Sequence, residues 1–183
     1  MKVKECVLCA ADLAGIGETV RAYLDGESVE GEADALALLR CFNLVENELA
    51  LDYLPLHAEE ELETETGAIF YSELSRPIVR VLRVLDESGT SIAFKLFPDY
   101  LKTASGKVCI RYTYTPTEKD MEGTSDFQTL VSPRLMAYGM VSEYQLANGA
   151  FEDAAVWDKK YKDAIKATYK KERCVKIASR RWV

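Results

Sequence analysis

The sequence predicts an α+β fold: a helical bundle formed by the N- and C-terminal helices, with a small antiparallel β-sheet inserted between them. Three observations predict it. Apolar residues recur at helical spacing before residue 54 and again after residue 132. Between them, residues 108–115 alternate with period two. Asn148-Gly149 leaves only a short turn between the last two helical stretches, which makes them an antiparallel pair.

Each element follows from local chemistry. Val3, Cys6, Val7, Ala10, Leu13 and Ala14 are spaced as one helix face, and Gly15 and Gly17 interrupt the pattern. A short helix over Thr19–Leu24 ends at Asp25-Gly26, and a polar loop follows. From Glu32 to Leu54, the stripe Leu36, Leu39, Phe42, Val45, Leu49, Tyr53 marks a stronger helix, with Asn43, Glu46 and Glu48 on its other faces. Pro55 stops it, because proline cannot donate to the helix ladder and restricts the residue before it.

The pattern then changes to strands. Leu62–Thr66 alternates, Ala68–Tyr71 is short and apolar, and Ile78–Leu85 is rich in β-branched residues. Glu87-Ser88-Gly89 is a turn before Ser91–Phe97, and Thr103–Lys107 is a second turn. In Val108–Thr115, Val108, Ile110, Tyr112 and Tyr114 face one way and Cys109, Arg111, Thr113 and Thr115 the other. About four strands are expected, ending at Pro116. Residues 117–131 read as a polar link with some order near Phe127–Val131. Ser132-Pro133 is an N-cap with proline at the first helical position. Glu152–Lys171 is a long amphipathic helix with Trp157, Tyr161 and Ile165 inward and a lysine-rich wet side. The expected divisions are 1–58 and 117–172 for the bundle, 59–116 for the β module and 173–183 for a basic tail.

Composition bounds function. The chain has 183 residues, 48% hydrophobic and 29% charged, an ordinary globular balance. No apolar run approaches the ~20 residues that span a bilayer, so no membrane partner is expected. An acid follows the two N-terminal lysines and Asp12 breaks the next apolar stretch, so no signal peptide is read. Five cysteines, an odd number at low density, suit a reducing compartment. Residues 159–183 hold ten Lys/Arg against two acids, a net of +8, which leaves −15 for the rest of a chain of net −7. Such a dipolar chain is suited to head-to-tail association or to a charged partner at one end.

Chemistry-bearing motifs are sparse, and no catalytic, metal or cofactor site is assigned. Cys6-x-x-Cys9 lies within a helical pattern with no second pair, so it reads as two small buried residues. His57 is the only histidine, and any nucleophile–imidazole pair must use it. It lies in a loop context and reads as exposed. Alternation places Glu61, Glu63 and Glu65 on one face, which reads as a charge-guarded edge strand rather than a cation site. Gly15-x-Gly17 lacks the third glycine and preceding strand of a nucleotide fingerprint. The basic tail, with Tyr161, Tyr169 and Trp182 interleaved, leaves open a nucleic-acid-binding or DNA-packaging accessory module with direct DNA contact.

The run from Ser132-Pro133-Arg134-Leu135 through Asn148-Gly149-Ala150-Phe151, then Trp157 and Tyr161, resembles the ending of phage head–tail connector and adaptor (tail-tubular-like) proteins. Leu39–Tyr53, Val81–Gly89, Phe97-Pro98-Asp99-Tyr100 and Tyr112-Thr113-Tyr114-Thr115-Pro116 are similar to the middle of that family, so the likeness spans most of residues 33–170. The resemblance implies a non-enzymatic virion or prophage assembly protein, a homo-oligomeric ring beneath the portal, made in the host cytoplasm and then carried in the virion. Its partners would be further copies, the portal protein and tail proteins. It also implies that the C-terminal segment docks on the portal, with Arg180, Arg181 and Trp182 as the docking residues. Residues 1–30 have no counterpart in it.

Overall fold

The computed structural model describes residues 1–169; the docking residues Arg180, Arg181 and Trp182 lie outside the described residues, as does the rest of the basic tail. The fold is mixed α+β, and the described residues form five α-helices and two three-stranded antiparallel sheets. The helices are α1 (Val3–Ala14), α2 (Gly17–Leu24), α3 (Glu32–Glu48), α4 (Pro133–Ala147) and α5 (Phe151–Thr168). The strands are β1 (Leu56–Thr64), β2 (Ala68–Phe70), β3 (Ile78–Asp86), β4 (Lys95–Leu96), β5 (Tyr100–Lys102) and β6 (Gly106–Tyr114).

The ends of the chain build one core. α4 packs against α1, α3 and α5, around Val7, Leu38, Phe42, Met136, Met140 and Tyr161. The Ser132 hydroxyl caps α4 by accepting the Leu135 N–H at 3.2 Å, and Pro133 fills the first turn, where no donor is needed. Gly139 allows the close approach. A Cβ there would lie 2.8 Å from Val45 Cγ1 and 3.1 Å from Tyr161 Cε2, so three helices converge on a residue without a side chain.

α3 ends sooner than Pro55 dictates. Its last turn widens into a π-helix over Leu49–Tyr53, and β1 begins directly after the proline. The predicted stripe also shifts. Ala35, Leu38 and Cys41 are buried with Phe42 and Val45, while Leu36 is exposed. Glu46, expected on a wet face, is buried.

The β module differs from a single four-stranded sheet. One sheet has the order β1-β6-β3 and the other β2-β5-β4. Val84, Ile110 and Tyr112 from the first pack with Ile69 and Leu101 from the second, giving the module its own core. Residues 91–97 make little regular structure: Ser91 bridges to Leu85, and only Lys95–Leu96 is strand. Tyr100–Lys102 is the strand that pattern reading misses, since three residues show no period. Gly67, at φ +74, turns the chain between β1 and β2 so tightly that a Cβ would meet the Thr103 carbonyl oxygen.

Residues 117–131 are a strap rather than a free link. Asn43 of α3 grips the Lys119 backbone from both sides, donating to its carbonyl at 3.1 Å and accepting its N–H at 2.8 Å. The Val3 N–H donates to the Gly123 carbonyl, the Ser125 N–H donates to the Met1 carbonyl, and Phe127 is buried in the bundle core.

Candidate interaction surfaces

The acidic row lies on the sheet face turned away from the second core. The even residues of β1 face inward. Among them is Glu60, whose carboxylate accepts from the Tyr112 hydroxyl and from the Ser75 N–H and hydroxyl. Burial pushes Glu60 up, but the Ser75 and Tyr112 hydrogen bonds outweigh it and hold the group below the usual carboxylate range. Glu59, Glu61 and Glu63 face outward; the strand stops at Thr64, so Glu65 leaves the predicted row and Glu59 joins it. This open face forms a concavity of about 760 Å³.

Arg111, central on β6, binds Glu59 with two bonds, Nε to Oε2 at 2.7 Å and Nη2 to Oε1 at 3.2 Å. The Cys109 thiol donates to the same carboxylate. These hydrogen bonds, Arg111 first, hold Glu59 below the usual carboxylate range. On β3, Arg83 stands opposite Arg111, and Arg80 opposite Thr113. The sheet therefore runs from an acidic edge on β1 to a basic edge on β3. Among the described residues, Glu61, Glu63, Arg80 and Arg83 take part in no ion pair.

Two apolar surfaces complete the inventory. A groove of about 310 Å³ between α3 and α4 is flanked by Leu44 and Leu146, 58% and 48% exposed, with Arg40 and Glu143 beside them. Phe151, beyond the α4–α5 turn, is 67% exposed. At the far sheet, Phe97 stacks on Tyr100 at 4.7 Å and Phe70 tilts against it at 5.6 Å, leaving Leu96 and Phe70 largely in solvent.

The other singled-out residues stay apart. His57 is exposed on β1, opposite Thr113. Cys6 is in the bundle core, where burial pushes its thiol up to about 12, and Cys9 is half-buried on the same helix. Burial, then the Glu59 hydrogen bond, pushes Cys109 up to about 11. Thiols held protonated in this way are poor nucleophiles at neutral pH. Among the described residues, no group of three His, Cys, Asp or Glu is placed to hold a metal ion, and no helix is long and apolar enough to cross a membrane. Sequence reasoning missed the α3–α4 groove, because Leu44 falls outside the predicted stripe of α3 and no local pattern marks it as uncovered. It also missed Arg80 and Arg83 as a pair, because their odd separation hides a shared face. Comparison with protein-family models and with curated protein sequences returns no match for this chain.

Proposed function

We propose that this chain is a structural assembly subunit, a head–tail connector whose copies close into a ring beneath a phage portal, made in the host cytoplasm and carried into the virion. The observation that carries the reading is the groove on the bundle: Leu44 and Leu146 are uncovered beside a filled core. Apolar area of that kind, rimmed by Arg40 and Glu143, is suited to a protein partner. A closed ring needs two different and complementary flanks on every subunit. The acidic and basic sheet edges supply such a pair, and the order of sequence pieces supports the same class. Arg180, Arg181 and Trp182 remain the proposed portal-docking residues, an aromatic anchor beside two guanidinium groups.

Light scattering and negative-stain microscopy of the full chain over a range of concentrations test the reading. The expected result is a discrete closed oligomer, forming alone or on addition of portal rings. A strict monomer under both conditions overturns it. The triple substitution R180A/R181A/W182A is expected to weaken portal co-sedimentation while leaving self-association intact.

One observation favours a second reading, a DNA-packaging accessory. Lys159, Lys160 and Lys166 are exposed along α5 and extend the basic charge of the tail onto the bundle. Truncation after Lys171 then abolishes DNA binding, and the intact chain binds with a steep salt dependence. No binding at low salt removes this alternative.

A further inference from the structure

The two edges of the β1-β6-β3 sheet match each other in charge, spacing and direction. Glu61 and Glu63 stand two ladder positions apart on the open face of β1, opposite Cys109 and Lys107. Arg80 and Arg83 are three residues apart in sequence, which in a regular strand puts them on opposite faces. The ladder skips a position between Val81 and Arg83, however, so Arg80 pairs with Thr113 and Arg83 with Arg111. Both arginines therefore share the open face, also two ladder positions apart, because the bulge at Leu82 re-aims the chain.

The edges are open. Among the described residues, no backbone hydrogen bond reaches Leu56–Thr64 or Ile78–Arg83 from outside the sheet. Arg83 faces Arg111, whose charge Glu59 already answers with two bonds, so Arg83 has a cation across the strand and, among the described residues, no carboxylate of its own. Val79 and Leu82, the residues the register skips, are 49% and 39% exposed on the same strand.

The geometry points to edge-to-edge association of copies, β1 of one against β3 of the next, with Glu61 and Glu63 facing Arg80 and Arg83. Like charges oppose β1 on β1 and β3 on β3, so the pattern excludes a two-fold dimer through either edge and selects a head-to-tail contact. β1 and β3 both run antiparallel to β6, hence parallel to each other. On β6 the arginine row stands at Thr113 and Arg111 and the glutamate row at Cys109 and Lys107. Bringing β3 to β1 with both charged pairs in the same order therefore also displaces the next copy by four ladder positions along the strand, and in a closed ring the strands then run tilted to its axis. Val79 and Leu82 would be covered by the same contact. This contact deepens the self-assembly reading and rests on it.

Charge exchange tests it. E61K/E63K and R80E/R83E are each expected to raise the concentration of half-assembly at least about ten-fold, since like charges then meet across the contact. An equimolar mixture of the two variants restores assembly, because each bears the edge the other needs, and the quadruple exchange assembles alone. All four side chains are exposed, and far-UV circular dichroism verifies that each variant is folded. If the wild type assembles and the double variants assemble equally well, or if mixing restores nothing, the edge contact is wrong while the assembly reading stands. A wild type that stays monomeric with and without portal rings overturns both.

Discussion

Glu46 lies on the buried side of α3, 1% exposed, where its Oε1 accepts the Asp126 N–H at 2.9 Å and its Oε2 has no hydrogen-bond partner among the described residues. Burial raises its carboxyl above the ordinary range, against the opposing pull of hydrogen bonds and of Lys119. A carboxyl whose folded pKa is raised favours the fold while protonated. That contribution is whole below the unfolded pKa and is lost as pH rises through the folded one. Glutamine keeps the acceptor for Asp126 and cannot ionise. Glu46→Gln is therefore expected to melt about 2–4 °C above the wild type at pH 8, the shift that ~1 kcal/mol produces in a chain of this length. The gap should close as pH falls below the raised carboxyl's titration. Thermal unfolding across pH 4.5–8 checks this, and a variant less stable at pH 8 shows that the buried charge is needed. This burial is not legible locally: Glu46 lies between Phe42 and Leu49 in helix register, yet a carboxylate reads as solvent-facing, and the strap that covers it comes from residues 80 positions away.

At the scale of elements, the α3–α4–α5 contact depends on an absent side chain. Alanine is the better helix former by about 1 kcal/mol, so propensity alone favours Gly139→Ala. The new methyl would instead press on Val45 and Tyr161, both buried, and overpacking of a filled core costs about 1–3 kcal/mol. The expected outcome is a net loss of roughly 1–2 kcal/mol in urea unfolding, partly recovered in Gly139→Ala/Val45→Ala, where the neighbour yields space. Equal stability of the single variant and the wild type would show that the helices can part freely. Ser132-Pro133, Asn148-Gly149 and the alternation of 108–115 made α4, α5 and β6 legible, because caps and period are local signals. The division into two sheets was not legible. β4 and β5 are two and three residues long, and β5 is set against β2 by the turn at Gly67, which meets Thr103. The candidate edges were half legible: the glutamate row follows from alternation, whereas the arginine row exists only because β3 slips register.

For the whole molecule, the question is how two cores hold together. The bundle core and the β-module core share Tyr114 at their margin. Across the junction, Asp126 of the strap pairs with Lys119 at 3.1 Å and reaches Arg76 of the module at 3.8 Å, while Arg76 lies 5.4 Å over the Tyr114 ring. The strap is thus anchored in the bundle by Phe127 and Asn43 and tied to the module by Asp126. Phe127→Ala removes the largest apolar anchor, and truncating a buried phenylalanine costs about 3–5 kcal/mol. If the strap couples the cores, that loss is not confined to the helices. Amide exchange should quicken at α1 and α3 and also at the junction ends of β1 and β6, Leu56 and Tyr114. Val84 and Ile110, deep in the second core, should keep most of their protection. Native-state hydrogen exchange of the variant decides it: faster exchange in the helices with an unchanged Leu56–Tyr114 pair would mean that the module holds its own junction without the strap. The distinction bears on assembly, because a sheet held rigidly on the bundle fixes the angle at which its charged edges meet the next copy. A closed ring depends on that angle repeating from one subunit to the next.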